Sequence, residues 1–348
     1  MDAQAISYRL TKQISKIEKP SNFLLLRFFN EVQDPTGQKI VIDVEKRTTK
    51  LAPFVSPCVE GVPIASAGFS TTAIDPTYIR LKDAPSLCST GKRRFGEQPD
   101  TPDDPTTRLN KQTASVLMQH EDAIQARLVW MAAKALVDAS YLVYSDHHPK
   151  YQVNFNRSAN NTITLANPWK TGGTLNATAT PLDDIESLGK AIFLSCRNKM
   201  TDLIMRSETW NTLSKHQDFV EVYKKFKGID EANIPEMTPK SYETVTFKGR
   251  LGEFNIWIYD DYYSENNTLN YYIPVGTILG VSATAFQGFV AYGEIQNDKA
   301  VDAGRSLASR YVDYFYDDNV GKKFVQTEAA PLVVPGDPDA TGLLIAYV

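Results

Sequence analysis

An α+β fold is predicted for this chain, and three observations predict it. One helical stripe runs from Leu117 to Ala135. Extended patterns dominate from Thr244 to Ile295 and return from Lys322 to Val348. Between these signals and the N-terminus, eight prolines from Pro53 to Pro105 break up any long regular element.

The opening segment reads as an arm. Ile6, Leu10, Ile14 and Ile17 recur at spacings of three and four, which predicts a short amphipathic helix ended by Pro20. Phe23-Leu24-Leu25-Leu26-Arg27-Phe28-Phe29 then places six apolar residues among seven. Such a run needs a covering partner. In a monomer it is an ordinary core strand or helix, and in an assembling protein it is an anchor.

From Lys39 to Val44, Ile40, Ile42 and Val44 share one face of a half-buried strand. After it the prolines exclude a long central sheet, because proline cannot donate to a ladder. A long loop or an edge-type hairpin is expected, and an excursion this poor in core residues is uncommon within one compact domain. Lys92-Arg93-Arg94, followed by Asp100, Asp103 and Asp104, puts both signs of charge on it.

Residues 109–142 carry the strongest helical signal. Leu117, Ile124, Leu128, Met131 and Ala135 form one stripe. Val129, Trp130, Ala133, Leu136 and Val137 spread around the second half, so that half should be buried on more than one face. At 1.5 Å per residue the helix spans roughly 40–50 Å.

A hairpin is expected over 151–165, from the alternation of Tyr151, Val153 and Phe155 and the turn formers Asn156 to Asn161. Gly172-Gly173 and Pro181 mark a boundary. Asp183 with Glu186 reads as an N-cap and its partner, and Ile185, Leu188 and Ile192 give the helix a buried stripe. Strand and helix continue over 201–227. The β-rich part follows through Val245 and Phe247, then Phe254, Ile256 and Ile258, then Thr277 to Val281, then Phe289 and Ala291, with Gly249 and Gly252 as punctuation. Leu332-Val333-Val334 and Leu343 to Val348 are apolar again, and a chain end of that character should be a buried or paired strand.

Composition limits the function. The chain has 348 residues, 42% hydrophobic and 22% charged, which is ordinary for globular protein and enough for roughly two or three domains. A net charge of −4 argues against a dedicated nucleic-acid binder. Cys58, Cys88 and Cys196 are odd in number and lack C-x-x-C spacing, so reduced thiols are expected, with neither a disulfide framework nor a zinc site. No signal peptide is apparent, and no run approaches the roughly 20 apolar residues of a membrane helix. A protein made in the bacterial cytoplasm is expected.

No catalytic constellation emerges. Gly91-Lys92 would suit a phosphate loop, but Ser86 stands where glycine is needed and Arg93 where Ser or Thr would hold magnesium. Asp146-His147-His148 precedes Pro149 in a turn, where a solvated role outweighs a metal pair. His120-Glu121 lacks a second histidine four residues on. Cys196 reads as a buried thiol. Asp260-Asp261 and Asp317-Asp318 could do acid–base work, but turn or surface roles are favoured. Tyr311, Tyr314, Phe315 and Tyr316 could stack on bases, yet Asp313 and its acidic neighbours would repel phosphates, so packing is the better reading.

Several strings resemble the lambda-type major capsid proteins of tailed phages, in order and spacing through most of the chain. They are Phe23-Leu24 with Phe28-Phe29, Val55-Ser56-Pro57 with Gly61, and Pro76, Tyr78 and Lys82. Next come the long helix behind a charged, proline-rich loop and Asp183-Asp184-Ile185-Glu186. Ala330-Pro331-Leu332 and Asp337-Pro338-Asp339 stand near the end. The Tyr-rich stretch from Tyr259 to Tyr272 matches nothing in that pattern.

The resemblance implies an HK97-like fold. Its parts would be an N-terminal arm (1–38), β-strands with an extended loop or E-loop (39–112), and a peripheral domain with a spine helix (113–180). An axial domain around a mixed sheet (181–300) and a return to the peripheral domain (301–348) would complete it. It also implies a major capsid protein, without enzymatic activity or cofactor, forming hexamers and pentamers of an icosahedral shell in the virion. A scaffolding protein, a portal, a decoration protein and non-specifically held double-stranded DNA are the implied partners, and a membrane is not. Phe23, Phe28, Phe29, Lys92, Arg93, Arg94, Asp103 and Asp104 are the expected intersubunit residues. Two alternatives stand beside this reading: an encapsulin-like bacterial shell around a cargo enzyme, and a β-rich enzyme or glycan-binding protein with a scattered site.

Overall fold

The computed structural model describes residues 22–31, 40–45, 51, 54, 69–85, 104–145, 148–220, 245–265, 268–318 and 321–347. Its centre is a beam. Helix α2 (Pro105–Val137) follows a short helix α1 (Phe23–Phe28) and strands β1 (Phe29–Glu31), β2 (Ile40–Glu45), β3 (Phe69–Ile74) and β4 (Ile79–Asp83). At its N-terminus Pro105 occupies the first turn and the Asp104 carboxylate accepts from Thr106 N and Thr107 N, satisfying two of the amide donors a helix end leaves open. Because of that cap the helix starts inside the segment that sequence reading gave to the extended loop. It ends at Val137, before Ala139 at φ 49°. Arg157 donates to Leu136 O at 3.0 Å and Val137 O at 2.8 Å, closing the last turn.

The stripe Leu117, Ile124, Leu128, Met131 and Ala135 is buried, and the second half also buries Val129, Ala132, Ala133, Leu136 and Val137. The two halves face different partners. Val116 and Leu117 pack with Val312 and Val325, on a three-stranded sheet ordered β17-β18-β4, with β17 at Tyr311–Asp317 and β18 at Lys322–Ala329. The second half enters the main core beneath the large sheet.

Strand β5 (Ser140–Ser145) pairs antiparallel with β6 (His148–Asn154). The hairpin expected over 151–165 is therefore displaced toward the N-terminus. Asn156 at φ 55° turns the chain away, and β7 (Thr162–Thr164) leaves to pair parallel with β20 (Thr341–Ile345). Asn161 directs that choice: its buried side-chain amide donates to Asp339 O at 2.8 Å and Thr341 O at 3.0 Å.

After a small ribbon of β8 (Lys170–Thr171) and β9 (Thr174–Leu175), α3 runs from Pro181 to Cys196. Thr180 holds the cap position without a side-chain bond, and Asp183 and Asp184 sit in the first turn, where carboxylates favour the helix dipole. The predicted Asp183 cap is thus corrected, because Pro181 supplies the first helical residue. Beyond it lie β10 (Asp202–Met205), α4 (Ser207–Lys215), β11 (Val245–Leu251), β12 (Phe254–Tyr259), β13 (Tyr262–Glu265), β14 (Thr268–Tyr271) and β15 (Thr277–Val281). Then come α5 (Ala283–Phe286), β16 (Gly288–Tyr292), α6 (Asp298–Asp302) and β19 (Pro331–Val334).

The large sheet is mixed, six-stranded and ordered β11-β12-β10-β15-β20-β7. Helix α3 lies close on one face, with Ile185, Leu188 and Ile192 buried. The closeness depends on two glycines paired across the sheet, Gly280 and Gly342. A Cβ on Gly280 would come within 2.5 Å of Met200 Sδ, and one on Gly342 within 2.8 Å of Leu188 Cδ1. Gly249 sits at φ 127° where the β11–β12 register shifts, which marks a bulge.

Within the segment 301–348, strands β17 and β18 carry Val312 and Val325 onto α2, and β20 is inserted between β15 and β7 of the mixed sheet. Both edges of a continuously apolar strand need hydrogen-bond partners when its faces are covered, and β15 and β7 supply them.

Candidate functional site

The arm anchor is built into the chain's own core. Phe23 lies 5.0 Å from the Trp257 ring and 6.0 Å from that of Tyr259, while Phe28 and Phe29 meet Phe286 edge-on at 6.3 and 5.2 Å. The three phenylalanines are 3, 5 and 6% exposed. Gly288 makes room for Phe29, since a Cβ there would stand 2.6 Å from its ring. Arg27 donates to Asp202 at 2.5 Å and stacks 4.5 Å from the Trp257 ring. The buried Asp202 carboxylate also accepts from Trp257 Nε1 at 2.8 Å and Thr201 Oγ1 at 2.7 Å. Sequence reading aimed Phe23, Phe28 and Phe29 at a neighbouring subunit. Burial within one chain removes the same apolar surface without the entropic cost of association. Leu26, 67% exposed, is the apolar residue that α1 leaves in solvent.

The excursion is rooted by a polar cluster. Strand β4 pairs with β18 from Ile79 to Asp83, and the Glu328 carboxylate is buried between them. Arg80 forks onto it at 3.2 Å through two nitrogens, Asn297 donates at 2.7 Å, and Tyr78 and Gln326 donate as well. Burial opposes ionisation here, but hydrogen bonds from Tyr78, Asn297 and Gln326 and the Arg80 charge outweigh it and hold the Glu328 carboxyl below its ordinary range. Burial and the same carboxylate push the Tyr78 hydroxyl up to about 12. One strand residue away, Thr327 meets His120 Nδ1 at 3.0 Å, and burial lowers the His120 pKa despite Asp83 nearby. Arg310 pairs with Glu121 at 3.2 Å. The His120-Glu121 dipeptide therefore ties α2 to β17 and β18.

Strands β2 and β3 form an antiparallel hairpin, and Leu51 and Phe54, between them in sequence, are fully exposed. Lys92, Arg93, Arg94 and Asp103 lie outside the described residues. Asp104 is described, as the cap of α2; its hydrogen bonds with Thr107 and Thr106 lower its carboxyl pKa.

The remaining chemical candidates are accounted for locally. Among the described residues no group of three His, Cys, Asp or Glu side chains could hold a metal ion. Burial raises the Cys196 thiol pKa, which disfavours the nucleophilic thiolate. Asp260 accepts from Ser207 N at 2.9 Å, at the start of α4, and Asp261 accepts from Tyr262 N at 2.9 Å within its own turn. Phe315 stacks on Phe324 at 5.8 Å, with Lys82 over both rings. Ser86, Gly91, Asp146 and His147 lie outside the described residues.

Sequence reading missed Asp202 and Glu328, whose partners lie 175 and 248 residues away. It also missed two apolar surfaces. One is the outer face of the β13–β14 ribbon, with Tyr262, Leu269 and Tyr271 exposed; the other borders α3, with Phe193 and Leu194 exposed.

The chain is similar to known proteins in both sequence and fold. The chain is 27% identical over 327 residues to the major capsid protein of Enterobacteria phage P21, covering 93% of each chain. It is 25% identical over 318 residues to that of Escherichia phage lambda, covering 91% of this chain and 92% of the other. Its fold matches a crystal structure from an Escherichia coli CFT073 prophage, described as a capsid protein, with a TM-score of 0.74 at 22% identity over 98% and 99% of the two chains. The capsid of a native GTA particle matches with a TM-score of 0.51 at 12% identity, over 96% and 93%. The model of the family described as phage major capsid protein E matches residues 7–342, and the chain, an HK97-like capsid subunit, belongs to that family.

Proposed function

We propose that this major capsid protein assembles as hexamers and pentamers into an icosahedral head shell. Assembly takes place in the host bacterial cytoplasm and encloses double-stranded DNA held by non-specific contacts. Scaffolding, portal and decoration proteins are its proposed further partners. The work is structural, and no reaction is assigned to it. The family match over residues 7–342 carries this reading. The excursion supports it, because Leu51 and Phe54 stand uncovered on a single copy and large exposed apolar side chains gain from a partner.

Lys92, Arg93 and Arg94 are proposed to meet carboxylates of a neighbouring copy, with Asp103 on the opposite side of such contacts. The Asp104 carboxylate already caps α2, so its role toward a neighbour is secondary. Each exposed pair contributes only ~0–1 kcal/mol, but a shell repeats it in every subunit.

Sedimentation and electron microscopy of the purified protein test the function. Closed shells of megadalton size are expected, with packaged nucleic acid in particles from infected cells. A species that stays monomeric across concentration and salt would refute it. Changing all three basic residues to Glu should slow or misdirect assembly and change its salt dependence, because exposed pairs are screened. Normal shells with unchanged salt dependence would remove those residues from the interface.

A further inference from the structure

Strand β4 ends the sheet ordered β17-β18-β4, and β5 has only β6 beside it. Each therefore keeps one edge without a strand partner among the described residues. Such an edge presents a row of backbone donors and acceptors that an added strand can satisfy.

The two strands line one slot of about 350 Å³. It takes consecutive residues from each, Thr77 to Leu81 on one side and Tyr141 to Tyr144 on the other. A sheet face would contribute alternate residues, so consecutive ones place the gap beside the strands and not above them. Helix α2 floors the slot through Ala123, Arg127 and Trp130. Arg127 lies 5.0 Å from the Trp130 ring, and the buried Trp130 Nε1 has no acceptor among the described residues. Two strand edges, a largely apolar floor and an unmet donor together suit one extended peptide, whose carbonyls would supply the acceptor. A helix would leave both edges open.

The chain carries such a peptide close by. Residues 1–21 lie outside the described residues, and α1, which they precede, packs against α2 in the main core. Ile6, Tyr8 and Leu10 alternate with Ser7 and Arg9. This strand period lies within the helical spacing of Ile6, Leu10, Ile14 and Ile17. A strand over Ile6 to Leu10 has one apolar face, which matches the floor, and one polar face, which suits solvent. Its length, roughly 17 Å, equals that of the stretch from Thr77 to Leu81. The chain from Leu10 to Asn22 can extend roughly 40 Å, well beyond the roughly 10–12 Å diameter of a helix it must round.

We propose that Ile6 to Leu10 add as a strand between β4 and β5 of their own chain, over the outer side of α2. The added strand joins the β17-β18-β4 sheet to the β5–β6 hairpin and converts two open edges into ladders. The contact lies within one chain, so it stands or falls independently of the shell.

The test breaks the strand without touching the core. Tyr8→Pro removes a backbone donor, and proline does not fit a central strand. In hydrogen exchange of the full chain, the amides of β4 and β5 that lack a partner in β18 or β6 should exchange about tenfold faster or more in Tyr8→Pro. The amides of β15 should be unchanged. Tyr8→Val, which keeps the strand, should exchange like wild type. Tyr8→Cys with Leu142→Cys, treated with a short bismaleimide, should give a product of monomer mobility on a denaturing gel. Peptide mapping should find residues 8 and 142 joined in it, with neither single change giving that product.

Unchanged exchange in Tyr8→Pro would overturn the proposal. Equal acceleration in Tyr8→Val would assign the protection to the tyrosine side chain and overturn the added strand. Absence of the 8–142 link would also overturn it, and cross-linked dimers would give the slot to the arm of a second copy.

Discussion

The two apolar segments toward the ends of the chain look alike in sequence and are held differently. Near the N-terminus, α1 and β1 contribute side chains: Phe23, Leu24, Phe28 and Phe29 fill the main core, while β1 has only an edge position beside β16. Near the C-terminus, β20 contributes backbone, hydrogen-bonded along both edges to β15 and β7. Losing the first opens a pocket, whereas losing the second leaves β7 without its partner and opens one edge of β15. Both segments fold back on their own subunit, so an apolar run near a chain end does not by itself mark an interface.

The largest expected effect follows from the place of β20 between β15 and the edge strand β7. Deleting Leu343 to Val348 should yield insoluble protein, because the buried strand β15 would lose a ladder and β7 its partner. The soluble fraction and the cooperativity of thermal unfolding measure this. A soluble, cooperatively melting truncation would make the C-terminal strand no more important than the arm.

Next comes the arm itself. Each buried Phe→Ala change typically costs about 3–5 kcal/mol, so Phe28→Ala with Phe29→Ala should destabilise the isolated subunit severely, as read from a denaturant midpoint. Sequence reading, taking the arm as an anchor, expects shell formation to be weakened more than subunit folding. A normal midpoint together with lost shells would restore that reading and reverse the comparison.

A smaller loss is expected from Arg27→Met. The change leaves the buried Asp202 carboxylate with donors from Trp257 and Thr201 but no cation. Arg27 is 31% exposed, which weakens the pair, so about 1–3 kcal/mol is expected. An Asp202→Asn companion should recover part of it; a loss unchanged by the companion would assign the effect to the packing of Arg27 on Trp257.

The smallest effect probes, by pH, the buried contacts that join α2 and β4 to β18. His120 has a lowered pKa in the folded chain, so the unfolded chain binds a proton first as pH falls. Its contribution is complete above the ordinary histidine value near 6.5 and is lost as pH falls toward the lower folded value. Glu328 behaves in the same direction at lower pH, contributing above the ordinary value near 4.3 and losing it as pH falls through its depressed folded pKa. Stability measured against pH should thus decline in two stages, and His120→Gln should abolish the first alone. An unchanged first stage would place its origin elsewhere.

Much of the fold was readable before any coordinates. The stripe through Leu117, Ile124, Leu128 and Met131, the buried face of α3 and the apolar run of β15 depend on spacing, and spacing is local. Pairing was less readable. The alternation at Tyr151, Val153 and Phe155 marks a strand, but it cannot say that the partner is Ser140–Ser145 and not Thr162–Thr164. That choice rests on the turn at Asn156 and on Asn161 reaching Asp339 and Thr341. Of the candidate surfaces, the charged excursion was visible as proline and charge pattern, while the slot between β4 and β5 was not. A slot is the space between two segments, and neither encodes it alone.

By itself, then, the sequence determined which residues are helical or extended, which faces are apolar, and, through ordered short strings, the family. Those properties follow from side-chain periodicity and chain stiffness over a few residues. Only the tertiary structure decided that Phe28 and Phe29 pack into the main core, that Arg27 pairs with Asp202 across 175 residues, and that the C-terminal strand enters the mixed sheet between β15 and the edge strand β7. Each of these is a competition among distant partners. Packing and the need to satisfy every buried polar group settle it, and neither acts until the whole chain has come together.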